Sequence, residues 1–216
     1  PVEPIVFWVE NTTPLELRQT VLDAGHRWNE AFEAAGFKNA VVMKMMPDDA
    51  DWDPADIRYN VIRWVSSDLG FAIGPSFVNP RTGQILGADI TIDFGFLRGL
   101  ASETDLYEKL RPYLQYDPSR GLELQQEGHS GHQRCMVGQG LSLQQSFAQA
   151  ALSCLGDSEE EKKTLLQEFI TELVLHEMGH TLGLSHNMKA SNMLSPEQLK
   201  DRELTSTMGV IGSVMD

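Results

Sequence analysis

The chain has 216 residues, of which 41% are hydrophobic, so it can bury one core of respectable size. Its formal charge of −14 at pH 7 argues against nucleic acid and anionic membrane surfaces as partners, because both are held by basic patches. No apolar run approaches the roughly 18 residues that a bilayer span requires.

Residues 4–9, Pro-Ile-Val-Phe-Trp-Val, are β-branched and aromatic and predict a strand. Thr13-Pro14-Leu15-Glu16 then combines a capping box with Pro at the first helical position. Leu17, Val21, Ala24, Trp28, Ala31 and Phe32 follow at helical spacing up to Gly36, which ends the helix. Further strands are expected at 40–45, 58–65 and 85–93, with Gln84 to Ile92 alternating as an exposed edge strand does. Trp8, Trp28 and Trp64 are expected in the core. Residues 98–158 are read as an insertion, with short helices at 106–116 and 141–155 around a Gly- and Gln-rich loop at 121–140. Ser158-Glu159-Glu160-Glu161 opens the next helix with a second capping box, and its acidic turn suits the positive end of the helix dipole. Leu166, Phe169, Ile170, Leu173 and Val174 form its buried stripe. Residues 187–216 are expected to be mostly irregular, with a helical turn at 196–199.

The most informative stretch lies on and beyond that helix: His176-Glu177-Met178-Gly179-His180-Thr181-Leu182-Gly183-Leu184-Ser185-His186. Residues four apart share a helix face, so His176 and His180 can point at one metal. Glu177, one position on, is turned toward the open coordination position as a base for a bound water. Gly183 carries no Cβ and can take the left-handed conformation that stops the helix. The chain then turns back and offers His186 as a third ligand. Three protein ligands and one exchangeable water describe a catalytic zinc site, whereas four protein ligands close a structural one.

The extended pattern His-Glu-x-x-His-x-x-Gly-x-x-His resembles the metzincin clan of zinc endopeptidases, and Gly212-Ser213-Val214-Met215-Asp216 resembles that clan's Met-turn. The stretches 10–14 and 80–90 are similar to a group of large bacterial zinc-dependent metalloproteases in or near this clan. The resemblance implies an α+β fold: a twisted mixed β-sheet, two long helices and a small irregular C-terminal subdomain. It implies one catalytic domain over 1–216, with an N-terminal subdomain at 1–186 and a C-terminal subdomain at 187–216. A chain that begins at Pro1 with no signal-like segment reads as a fragment of a longer protein. The location expected of it is secreted, periplasmic or cell-surface. The implied activity is hydrolysis of peptide bonds in a peptide or protein substrate, through a zinc-bound water activated by Glu177. Zinc would be held by His176, His180 and His186, with Gly183 and Met215 in structural roles. A tyrosine ligand is common after this turn in the clan, but the sequence stops at Asp216.

Two other readings stay open at this level: a zinc-binding module that does not cleave, and a metal-dependent hydrolase of a non-peptide amide. Glu177 favours catalysis, since a structural zinc needs no base. Asp48, Asp49, Asp51, Asp53 and Asp56 offer carboxylate oxygens suited to calcium, without the spacing of an EF-hand loop. His129, His132 and Cys135 are ligand types at close spacing, but their glycine neighbours favour a solvated loop. Arg134-Cys135-Met136-Val137-Gly138 faintly resembles the inhibitory cysteine segment of latent matrixins, although it lies inside the domain. Cys135 and Cys154 fit one disulfide or two free thiols. Gln84 to Ile92 is expected to form the rim that pairs with extended substrate. Thr207 to Gly212 is expected to form a small apolar wall that favours an uncharged side chain after the scissile bond.

Overall fold

The structure, a computed structural model, describes residues 3–65, 72–93 and 158–216, together with the isolated helical positions 140, 144, 147, 148 and 150. Strand β1 (Ile5–Val9) leads through helices α1 (Leu15–His26) and α2 (Trp28–Ala34) into β2 (Val41–Met45), which pairs with β1 in parallel. This is a βαβ unit, in which a parallel return needs a crossover helix. Strand β3 (Asn60–Val65) pairs in parallel with the other side of β1, and β6 (Ile85–Asp93) pairs in parallel with β3. Two short strands, β4 (Ala72–Ile73) and β5 (Ser76–Val78), run antiparallel along the far side of β6. Among the described residues the result is a mixed six-stranded sheet with several helices, as expected.

The alternation along β1 explains which face meets the helices. Phe7 and Val9 are buried with Leu17, Val21 and Ala24 of α1. The same cluster takes in Leu166, Phe169, Ile170, Leu173 and Val174 from helix α3 (Glu159–Thr181), so the expected apolar stripe of α3 is the buried one. Burying side chains of this size contributes roughly 1.5–3 kcal/mol each. Trp64 is in this cluster and Trp28 packs at its border. Trp8 instead points to the opposite face of the sheet, where it meets the stacked pair Trp52 and Tyr59.

The 23-residue helix α3 begins with the expected capping box. The Ser158 hydroxyl accepts from the Glu161 amide at 3.3 Å, and the Glu161 carboxylate accepts from the Ser158 amide at 2.8 Å. The box expected at Thr13 does not form. Pro14 takes the N-cap position, Thr13 is buried at 1% exposure, and no side chain caps α1. Arg18 instead reaches back to the carbonyls of Thr13 (2.8 Å) and Asn11 (2.5 Å). The helix expected through residue 35 is divided at Arg27, where the Glu30 amide bonds the Arg27 carbonyl three residues back, a tighter turn than the α-helical one. Beyond this break Ala31 faces solvent and α2 buries no residue.

The expectation that 84–92 is an exposed edge is overturned. Strand β6 has neighbours on both sides, and β4 and β5 hold its outer edge. The Ala88 amide is already committed, donating to Asn60 Oδ1 at 3.0 Å, while Asn60 Nδ2 donates to the Val6 carbonyl at 2.8 Å. A proline at position 88 would therefore break this cross-sheet bridge and not a substrate contact. Residues 187–216 are less irregular than expected. Beside 3₁₀ turns at Ala190–Asn192 and Gln198–Lys200, helix α4 (Arg202–Met208) forms, capped by Asp201, whose carboxylate accepts from the amides of Glu203 and Leu204. Among the described residues, no helix is long and apolar enough to cross a membrane.

Candidate metal centre

Helix α3 carries its core stripe straight into the histidines. His176 and Glu177 are both fully buried, at 0% exposure, which places them at the floor where α3 leaves the core. The helix then stops in a Schellman arrangement. Gly183 has φ +91°, the Gly183 amide bonds the His180 carbonyl at 3.0 Å, and the Leu184 amide bonds the Gly179 carbonyl at 3.0 Å. A side chain at residue 183 would be strained there, which is the role expected of this glycine. The reversal returns His186 to the first two imidazoles.

The three rings converge through their Nε2 atoms. His176 and His180 are 3.1 Å apart, and each lies 3.2 Å from His186. The other ring nitrogen of two of them is tied to backbone. His176 Nδ1 donates to the Val214 carbonyl at 2.5 Å, and His180 Nδ1 donates to the Leu184 carbonyl at 3.0 Å. Those acceptors assign the proton to Nδ1 and leave the Nε2 lone pairs facing each other. Lone pairs packed at this distance repel, and a cation between them removes the repulsion. Tetrahedral zinc with Zn–N of about 2.0–2.1 Å sets its ligand nitrogens about 3.3–3.4 Å apart, close to this triangle. Among the described residues, these three histidines are the group whose ligand atoms come within reach of one ion.

The turn at 212–216 is the second support. The Val214 carbonyl orients His176, as outer-shell acceptors orient metal-binding histidines, and the Asn187 amide bonds the Met215 carbonyl at 2.7 Å. Met215 is buried at 2% exposure against Gly179. A Cβ at residue 179 would stand 2.4 Å from the Met215 sulfur and 3.3 Å from Trp28. Gly179→Ala should therefore push the turn away from α3. The thioether takes up only part of this overlap, so the cost in urea unfolding should be near the lower end of the roughly 1–3 kcal/mol of overpacking. Zinc affinity should fall with it, because Val214 moves too; an unchanged zinc Kd would show that the turn does not hold His176.

Burial is also the main influence on protonation. It holds the His176 imidazole down from 6.5 to about 4, assisted by the neighbouring imidazoles and opposed by the Val214 carbonyl. Burial, with His180, lowers His186 as well. In the unfolded chain His176 takes up its proton near 6.5, before the folded protein does. Its contribution to the stability of the metal-free protein is thus complete above about 6.5 and is lost as pH falls toward about 4. Urea midpoints across that window should decline, and His176→Gln should lose part of the decline. Midpoints that rise toward acid would contradict this sign.

Gly74, between β4 and β5, lies against Glu177 and has no signal in the sequence. The role of Val214 was equally hidden, since its backbone carbonyl supplies the contact. In the acidic stretch, Asp56 is held by Arg58 and Asp53 accepts from the Ala55 amide, so both carboxylates serve local turns. His129, His132, Cys135 and Cys154 lie outside the described residues.

Residues 158–216 match a family model described as Met-zincin. That segment holds the whole of the extended histidine motif and the turn that carries Met215. No curated protein and no solved structure matches the chain.

Proposed function

We propose, from the Met-zincin match of residues 158–216 and the histidine triangle together, that the protein is a zinc-dependent endopeptidase with a single catalytic domain. The observation that carries this reading is the convergence of three Nε2 atoms at 3.1–3.2 Å. His176, His180 and His186 would hold zinc, with His176 and His180 aimed by backbone carbonyls. Zinc held there supplies Lewis acidity to peptide hydrolysis. Glu177 takes the proton of the attacking water and delivers it to the departing amine. Its burial, one position after His176 on α3, supports this role, since a carboxylate screened from bulk solvent exchanges its proton with the substrate.

The rim for extended substrate is the β4–β5 segment and not β6, because these strands form the outer edge next to Glu177. An added strand there would draw affinity from main-chain hydrogen bonds. Met208, Val210 and Ile211, in the stretch read as the other wall, are exposed apolar side chains, which supports a preference for an uncharged residue after the scissile bond. Incubation of the zinc-loaded protein with a mixed peptide library tests the reading. Internal cleavage that stops on chelation and returns with zinc is expected. No cleavage of any peptide, or hydrolysis confined to non-peptide amides, would overturn it.

A further inference from the structure

Gly74 sits where the rim of the sheet meets the buried carboxylate. A Cβ built on it would stand 2.5 Å from the Glu177 carbonyl oxygen and 3.2 Å from Glu177 Oε2. Real Cβ atoms do not approach so closely, and ordinary contact begins at 3.4 Å. The backbone itself makes no demand for glycine here: among the described residues, the glycines with positive φ are Gly36, Gly83, Gly183 and Gly209. The requirement at residue 74 is therefore purely one of space.

Neither side of this contact is free to retreat. Ile73 pairs with Thr91, the Pro75 carbonyl accepts from the Asp89 amide at 3.3 Å, and Ser76 pairs with Ala88, so the backbone is tied to β6 before and after Gly74. Opposite, α3 is fixed by Phe169, Ile170, Leu173 and Val174 in the core. We propose that Gly74 is a positioning residue for Glu177, its missing side chain reserving the space in which the backbone and carboxylate of Glu177 are set. This inference rests on the role proposed above for Glu177. A methyl group at residue 74 presses first on the Glu177 carbonyl oxygen and only slightly on Oε2, so it is the α3 backbone at Glu177 that must shift by something close to an ångström, carrying its carboxylate along, and a misplacement of about 1 Å costs about 10²-fold in rate.

The test is Gly74→Ala in the zinc-loaded protein, alone and combined with Glu177→Ala. Expected is a fall in kcat of about 10²-fold, with KM and zinc stoichiometry close to the parent's and a Tm lowered by the crowding of the α3 backbone. In the Glu177→Ala background the same change should cost little more, because the group it acts through is gone. Parental kcat in Gly74→Ala, an equal loss in both backgrounds, or loss of zinc along with turnover would each overturn the proposal. Should Gly74→Ala fail to fold, the methylene proton shifts of Gly74 decide it in the isosteric Glu177→Gln protein. They should move while those of Gly83 stay, and unmoved shifts would refute the contact. A parent protein that cleaves no peptide sinks the protease reading alone, because the methylene shifts still report on Gly74.

Discussion

Replacing Glu177 by Ala should leave zinc bound and remove nearly all peptide turnover, a fall on the order of 10² to 10⁴ in rate. The two effects separate because the carboxylate and the ligand set are different groups: the convergent atoms are the three Nε2, and Glu177 is not among them. Glu177→Gln is the stricter variant, since it keeps the volume and removes only the basicity. Zinc content by elemental analysis and kcat on one cleaved peptide are the two measurements. Near-parental kcat in either variant would assign the base to another group. Loss of zinc would mean that Glu177 holds the metal as well.

The second large effect concerns the metal and the fold together. A ligand that binds only the folded state adds about 4 kcal/mol when its free concentration is about 1,000 times Kd. Saturating zinc should therefore raise the unfolding free energy of the parent by several kcal/mol, with one zinc per chain. With His176, His180 and His186 all changed to Ala, stoichiometry should fall to zero and added zinc should leave Tm unmoved. Retention of zinc in that triple variant would place the site elsewhere. In the parent, zinc should leave as acid protonates the imidazoles, since ligand nitrogens must be neutral. The burial that depresses His176 carries that release to lower pH than an exposed histidine would show.

The elements foreseen most accurately are those whose signal is local. The bounds of β6 at Ile85–Asp93 and the apolar stripe of α3 follow from side-chain period alone. The capping box at Ser158 and the reversal at Gly183 follow from the bonding needs of helix ends. Helix α4 is marked in the same terms: Asp201 caps it, Glu203 sits in its first turn and Gly209 ends it. It lacks an apolar stripe, and buries no residue, so periodicity is silent where capping is not. Thr13 shows the converse. The letters of a capping box are there, but Pro14 takes the N-cap position, Thr13 is buried one residue before it, and no side chain caps the helix.

By itself, then, the sequence determined the ligand types, their spacing along α3 and the stop that returns His186, because each is set within a few bonds or one helical turn. Tertiary structure alone decided what surrounds them. Strands of two and three residues carry no period, so nothing along the chain announces that β4 and β5 cover the edge of β6. The hold of the Val214 carbonyl on His176 spans 38 residues and uses a backbone atom that every residue type possesses. The fit of Gly74 against Glu177 depends on the distance between two packed elements, and packing distance is a property of the assembled core that no local pattern encodes.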